Sequence, residues 1–137
     1  MKDLKTIISI FILFVMASCS QSNSRPETAL DTGRGFIRAS LDGDFKSAES
    51  LLLNNEENIQ FFDSYKRYYN NMSPELKMNY KKASYEILQL SETNDSTTII
   101  NYANSYMKKP MEIKVVRVNN EWWIDFKYTS AGDDTSN

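Results

Sequence analysis

Residues 111–128 read MEIKVVRVNNEWWIDFKY and bring an arginine (Arg117), two tryptophans (Trp122 and Trp123) and a carboxylate (Asp125) into one short run. An arginine beside an indole could hold an anionic ligand, and a carboxylate desolvated by aromatic neighbours could exchange a proton near neutral pH. Upstream, Tyr65 and Tyr69 could add phenolic hydroxyls to the same site. The rest of the catalytic inventory is thin. The 137-residue chain has no histidine and a single cysteine. It lacks the commonest neutral-pH base, any intrachain disulfide and any thiolate metal cluster. No metal or other cofactor is expected.

Strand register decides whether these groups meet. Asn119-Asn120 suits a two-residue type I′ turn, because asparagine tolerates positive φ. Such a turn sets Val118 opposite Glu121 and pairs the residues outward from there. Lys114 then faces Asp125, and Glu112 faces Lys127, on one solvated face. The other face carries Met111, Ile113, Val115 and Arg117 against Tyr128, Phe126, Ile124 and Trp122, and is apolar except for Arg117. A slip of one residue would mix the two sets. On this register Asp125 points to solvent. Arg117 reaches inward at the hairpin end, either snorkelling over Trp122 or holding an anion.

The elements that must position this hairpin are legible upstream. Leu30, Phe36, Ile37 and Leu41 predict a helix over residues 28–41, ended by Gly43 in the left-handed conformation. Asp44 caps a second helix with Phe45, Ala48, Leu51 and Leu52 on its apolar face. Ile59, Phe62, Tyr65, Tyr69 and Met72 predict a third, whose aromatic stripe is either core or ligand lining. Ser73-Pro74-Glu75 opens a short fourth. After Ala83, SYEILQLSE, STTIINYANSY, MEIKVVRV and EWWIDFKY form four β-rich runs. Tyr85, Ile87, Ile100 and Tyr102 share one face and Leu88, Leu90 and Ile99 the other, so either both faces are covered or a bulge intervenes. Helices followed by consecutive strands predict an α+β fold, with N-terminal helices packed on a bent, four-stranded antiparallel sheet.

Lys2 and Lys5 precede an apolar run from Ile7 to Ala17, interrupted by Ser9. As a helix this run would rise about 16 Å, roughly half of a ~30 Å hydrocarbon core. That is the length of a secretory signal's apolar region. The run closes on VMASC, with the cysteine at position 19. This resembles the lipobox of bacterial lipoproteins, with Met16 where leucine or valine is usual. The resemblance implies cleavage after Ser18, acylation of Cys19 (palmitate among the chains) and retention at the bacterial cell envelope. An ordinary signal peptide with a nearby cysteine is the alternative. Each acyl chain contributes about 0.8 kcal/mol per buried CH₂, so several anchor firmly. Ser20 stands where an aspartate would mark inner-membrane retention, which points to the outer membrane and leaves the periplasmic or surface side open. The expected organisation is a signal peptide over 1–18, lipidated Cys19 and a polar tether over 19–27, a domain over 28–128 and a disordered acidic tail over 129–137.

The formal net charge is −2. Without residues 1–18 the chain loses Lys2, Lys5 and Asp3 and becomes slightly more acidic. That balance leaves no electrostatic footprint for nucleic acid. Aromatic residues make up 12%, with only 4 glycines and 3 prolines, enough to build a packed core.

FIRASLDGDFKSAESLL (residues 36–52) and VNNEWWIDF (residues 118–126) carry a second resemblance. They are similar to the opening helices and closing hairpin of small bacterial lipoproteins with a lumazine-binding-like domain of unknown function, in the nuclear-transport-factor-2-like (cystatin-like) superfamily. The resemblance spans the domain and implies a cone with a cavity between helices and sheet. If open, that cavity would be lined by Tyr65, Tyr69, Ile113, Trp122 and Phe126, with Arg117 as its polar handle. The expected function is non-catalytic binding of a small ligand or of an envelope protein, the latter at an outer patch of Trp123, Val116 and Val118. The alternative is an isomerase- or dehydratase-like enzyme of the same superfamily, using a buried carboxylate and tyrosine. The registered sheet offers no inward acid, and Asp63 falls on the wet side of its helix.

Overall fold

A computed structural model of the chain describes residues 24–131. The expected signal peptide, Cys19 and the last six residues of the expected tail lie outside the described residues. The fold is α+β. Helices α1 (Ala29–Asp42), α2 (Phe45–Ser50), α3 (Glu56–Asn70) and α4 (Pro74–Lys82) come first. Strands β1 (Tyr85–Asn94), β2 (Thr97–Asn104), β3 (Pro110–Val118) and β4 (Glu121–Ile124) follow, and a short α5 (Phe126–Ala131) closes the described chain. The strands form one open antiparallel sheet in sequence order.

Each of the first four helices begins on a side-chain cap. Thr28, Asp44, Asn55 and Ser73 accept from the backbone N–H three residues on, satisfying one of the donors that a helix start leaves free. Gly43 ends α1 at φ 71°, and its N–H bonds the carbonyls of Ala39 and Ser40. A side chain at this position would also strike Tyr69, whose hydroxyl would lie 2.7 Å from an added Cβ. Along α1 the buried positions Ala29, Thr32, Gly33, Phe36 and Ile37 follow the three-four spacing of one helical face. Gly33 brings that face close to the sheet. A Cβ there would approach the Ile100 side chain to 2.4 Å.

The predicted hairpin register holds for four pairs: Val118 with Glu121, Arg117 with Trp122, Val116 with Trp123 and Val115 with Ile124. Asn119 and Asn120 have φ of 51° and 66°, both positive as a type I′ turn requires. In β1 a bulge between Ile87 and Gln89 resolves the two-faced pattern. It turns Leu90 onto the face of Ile100, its cross-strand partner.

Three expectations are corrected. The second helix ends at Ser50, not Leu52, because the chain leaves the helix after its cap at Leu51 and bridges β4 at Leu52. There Leu53 N–H donates to the Ile124 carbonyl at 2.9 Å, and Ile124 N–H to that of Leu51 at 2.8 Å. The fourth strand stops at Ile124 instead of continuing to Tyr128. Phe126 turns its ring into the interior, and the chain winds into α5 between α3 and β3. Residues 129–131, expected within the tail, form the end of α5.

The core lies between the helices and one face of the sheet. Phe36, Phe62 and Phe126 meet there with centroid separations of 5.2–5.9 Å. Ile100, Ile113, Val115 and Ile124 floor it from the strands, all fully buried.

Candidate functional site

The six residues expected around a helix–sheet cavity do not surround an open space. Ile113 and Phe126 are core residues. Tyr65 packs among Phe45, Phe62 and Phe126, with centroids within 6.0 Å. Tyr69 sits edge-on to Phe45 at 5.1 Å and covers Gly43. Trp122 is half-buried at the core margin. Arg117 is exposed at the rim of the sheet beside Trp122, the position that the snorkelling alternative describes. Its guanidinium lies 5.6 Å from the Trp122 ring and donates to the Asn120 side chain, so it closes the turn instead of facing a ligand. Phe126, at the start of α5, fills the interior against Phe36, Phe62 and Tyr65.

Burial also weakens the tyrosines as acids. It pushes the Tyr65 phenol well above its ordinary value of 10, and neighbouring tyrosines push it the same way. The hydroxyl donates to the Ser40 carbonyl at 3.5 Å. Burial raises Tyr102 to about 12, with Tyr80 adding to the shift. Neutral, desolvated phenols of this kind can donate hydrogen bonds but yield protons poorly.

Asp125 was expected to face solvent and is buried at 6% exposure. Its Oδ2 lies 3.5 Å from Lys114 Nζ, the cross-strand partner expected from the register, while Oδ1 has no hydrogen-bond partner. The second expected charge pair, Glu112 with Lys127, does not form. Lys127 bonds Glu57 at 2.9 Å, and Glu112 instead accepts from the Tyr128 hydroxyl at 3.5 Å. Helix α5 causes both changes. It swings Lys127 toward α3 and leaves Tyr128, expected opposite Met111, 40% exposed. Among the described residues no group of three acidic or thiol side chains comes together as a metal cage.

Among the surface concavities of the described residues, two border the sheet. One, of about 420 Å³, lies beside β4 and is walled by Leu52, Leu53, Ile59, Phe62 and Trp123, with Glu49 and Asn54 on its polar side. The other, of about 520 Å³, is at the far end of the sheet and is lined by Ser84, Tyr85, Glu86, Asn104, Ser105 and Lys108 among others. The first is the more apolar, and it can take hydrophobic surface without any group placed for acid–base or nucleophilic chemistry.

Three polar residues that organise these surfaces had no sequence signal. Asn58 is fully buried, and its side chain donates to the Leu53 carbonyl at 3.2 Å and accepts from Lys127 N–H at 2.7 Å. Arg38 donates to the Ala83 and Lys81 carbonyls at 2.9 and 3.1 Å, fixing the end of α4. Arg25 was expected within the free tether, yet its guanidinium lies 3.5 Å from the ring centroid of Trp123. The same group donates to the Ser50 carbonyl at 3.0 Å and to that of Trp122 at 3.3 Å. The outer patch of Trp123, Val116 and Val118 is therefore partly roofed by Arg25. Only a long-range contact distinguishes these polar residues from solvated neighbours, and spacing does not encode one.

No protein-family model matches this chain, and no curated protein or solved structure matches it either.

Proposed function

We propose that the chain is a lipid-anchored bacterial envelope protein whose domain binds and does not catalyse. The observation that carries the non-catalytic reading is the filled interior. Phe36, Phe62, Tyr65 and Phe126 occupy the space where a superfamily enzyme would hold substrate. The one buried carboxylate among the described residues, Asp125, is held beside Lys114. The apolar groove beside β4 supports a small hydrophobic ligand as the occupant. The VMASC run and the short apolar stretch before it support the anchor. Among the described residues no helix is long and apolar enough to cross a membrane.

We read the domain as related to the nuclear-transport-factor-2-like superfamily and its lumazine-binding-like lipoproteins. The α1–Gly43–Asp44–α2 opening and the Trp122-Trp123 hairpin support that kinship.

Both halves are testable. Labelled palmitate should enter the wild-type protein and not Cys19→Ala, and the variant should leave the membrane fraction. Retention of Cys19→Ala on the membrane would overturn the anchor. An apolar anilinonaphthalene probe should bind saturably, and Ile59→Asp, at a 46% exposed groove position, should abolish that binding. Absence of saturable binding would remove the small-ligand reading.

A further inference from the structure

The place where the N-terminal segment joins the domain is fixed, and that has a geometric consequence at the membrane. Arg25 is bonded to the carbonyls of Ser50 and Trp122 and stacked on Trp123. Its Nε also lies 4.0 Å from Glu121 Oε2. Five residues, 20–24, separate this clamp from Cys19. Fully stretched they reach about 20 Å, and as a flexible coil about 13 Å on average.

The clamp sits at one end of the domain. The β3–β4 turn at Asn119-Asn120 is at that end, and so is the β1–β2 turn, since Arg117 N–H donates to the Ser96 carbonyl at 2.8 Å. The C-terminus of α1 is at the other end, where Arg38 holds the carbonyls of Lys81 and Ala83. The 14 residues of α1 run between the two ends, a separation of about 21 Å. A tether this short, fastened to one end, cannot present both ends to the lipid equally.

We propose that the hairpin end of the domain faces the lipid bilayer, held there by the Arg25 clamp, with Val118, the Asn119-Asn120 turn and the Trp122-Trp123 margin nearest the headgroups. This rests on acylation of Cys19. The residue types suit the position. Val118 is 39% exposed, and the indoles are only partly buried, as interfacial tryptophans are. The charges at this end, Arg25 and Arg117 against Glu27, Glu92, Asp95 and Glu121, leave it slightly acidic. Attraction to anionic lipid therefore does not set the orientation, and screening by salt should not abolish it.

The test uses the full acylated protein purified from membranes and reconstituted into phosphatidylethanolamine–phosphatidylglycerol vesicles carrying a headgroup-linked acceptor dye. A donor is attached through Val118→Cys at the hairpin end or Lys82→Cys at the far end, both exposed positions. The Cys19 thiol is blocked by its acyl chain. Energy transfer should be at least twofold greater from position 118 than from position 82, at low and high salt alike. A Gly-Ser spacer of about a dozen residues between Asn23 and Ser24 should erase that contrast without touching the fold, and Arg25→Ala should reduce it. Equal transfer from the two positions, in protein that floats with the vesicles, overturns the orientation and leaves the anchor standing. A contrast that survives the spacer overturns the role of the clamp. Protein that does not float with the vesicles overturns the anchor itself, and the orientation with it.

Discussion

The Asn58 side-chain oxygen accepts a hydrogen bond from the backbone N–H of Lys127 at 2.7 Å, across 69 positions of sequence. The contact caps α5 from another helix, while the amide nitrogen of the same side chain holds the Leu53 carbonyl. Asn58 thus ties α3, the segment 51–53 and α5 together, with its own side chain fully buried. Replacing it by alanine orphans a buried donor and a buried acceptor. Asn58→Ala should cost about 2–4 kcal/mol in urea unfolding. Asn58→Asp restores only the acceptor and buries a charge, so it should not rescue stability.

Gly43 supplies the second prediction. At φ 71° an alanine pays the left-handed penalty, about 1 kcal/mol. Its Cβ would also press on the Tyr69 ring, which packs against Phe45. Gly43→Ala should therefore lower the thermal midpoint more than the backbone term alone. Combining it with Tyr69→Leu should show coupling of more than 0.5 kcal/mol in a double-mutant cycle.

The pairing of half-buried Lys114 with buried Asp125 gives the third. Lys114→Met leaves Asp125 desolvated with both oxygens poorly partnered and should destabilise by about 1–3 kcal/mol. Adding Asp125→Asn should recover part of that loss, since the neutral amide costs less to bury. Equal stability of Lys114→Met and wild type in urea would count against this account.

Alkaline pH gives the fourth. In the unfolded chain tyrosines ionise near pH 10, whereas burial holds Tyr102 at about 12 and Tyr65 higher still. The unfolded state releases those protons first. Stability should be intact below pH 10 and fall as pH rises from 10 toward 12. Thermal midpoints recorded against pH, with tyrosinate absorbance at 295 nm, should decline in step, and Tyr102→Phe should make the decline shallower.

Local features were the legible ones. Gly43, Asp44, Ser73-Pro74 and Asn119-Asn120 announce caps and a turn because a few adjacent dihedrals decide them, and the hairpin register followed from the turn. What escaped was settled by distant partners. Leu51 and Leu52 continue the apolar stripe of a helix, yet β4 recruits their backbone instead. The alternation through Trp122, Ile124 and Phe126 reads as a strand, but Phe126 is drawn between Phe36 and Phe62, and the strand ends. Asp125 was placed on the side of Lys114, as found, but its burial depends on the turn into α5. The Tyr65–Tyr69 stripe read first as core and second as ligand lining, and the packing of Phe45 and Phe62 against it makes it core.

The segment 51–53 also bears on how the protein fails. It lies along the outer edge of β4 through two main-chain hydrogen bonds, and Arg25 braces it from Ser50. Detaching so short a piece costs far less than unfolding the sheet. Once it lifts, the main chain of a strand bearing two tryptophans is open to pair with a neighbouring molecule. Aggregation during handling should therefore follow the frequency of this small opening, and a protein with an unchanged melting temperature but a weakened Arg25 contact should still precipitate sooner.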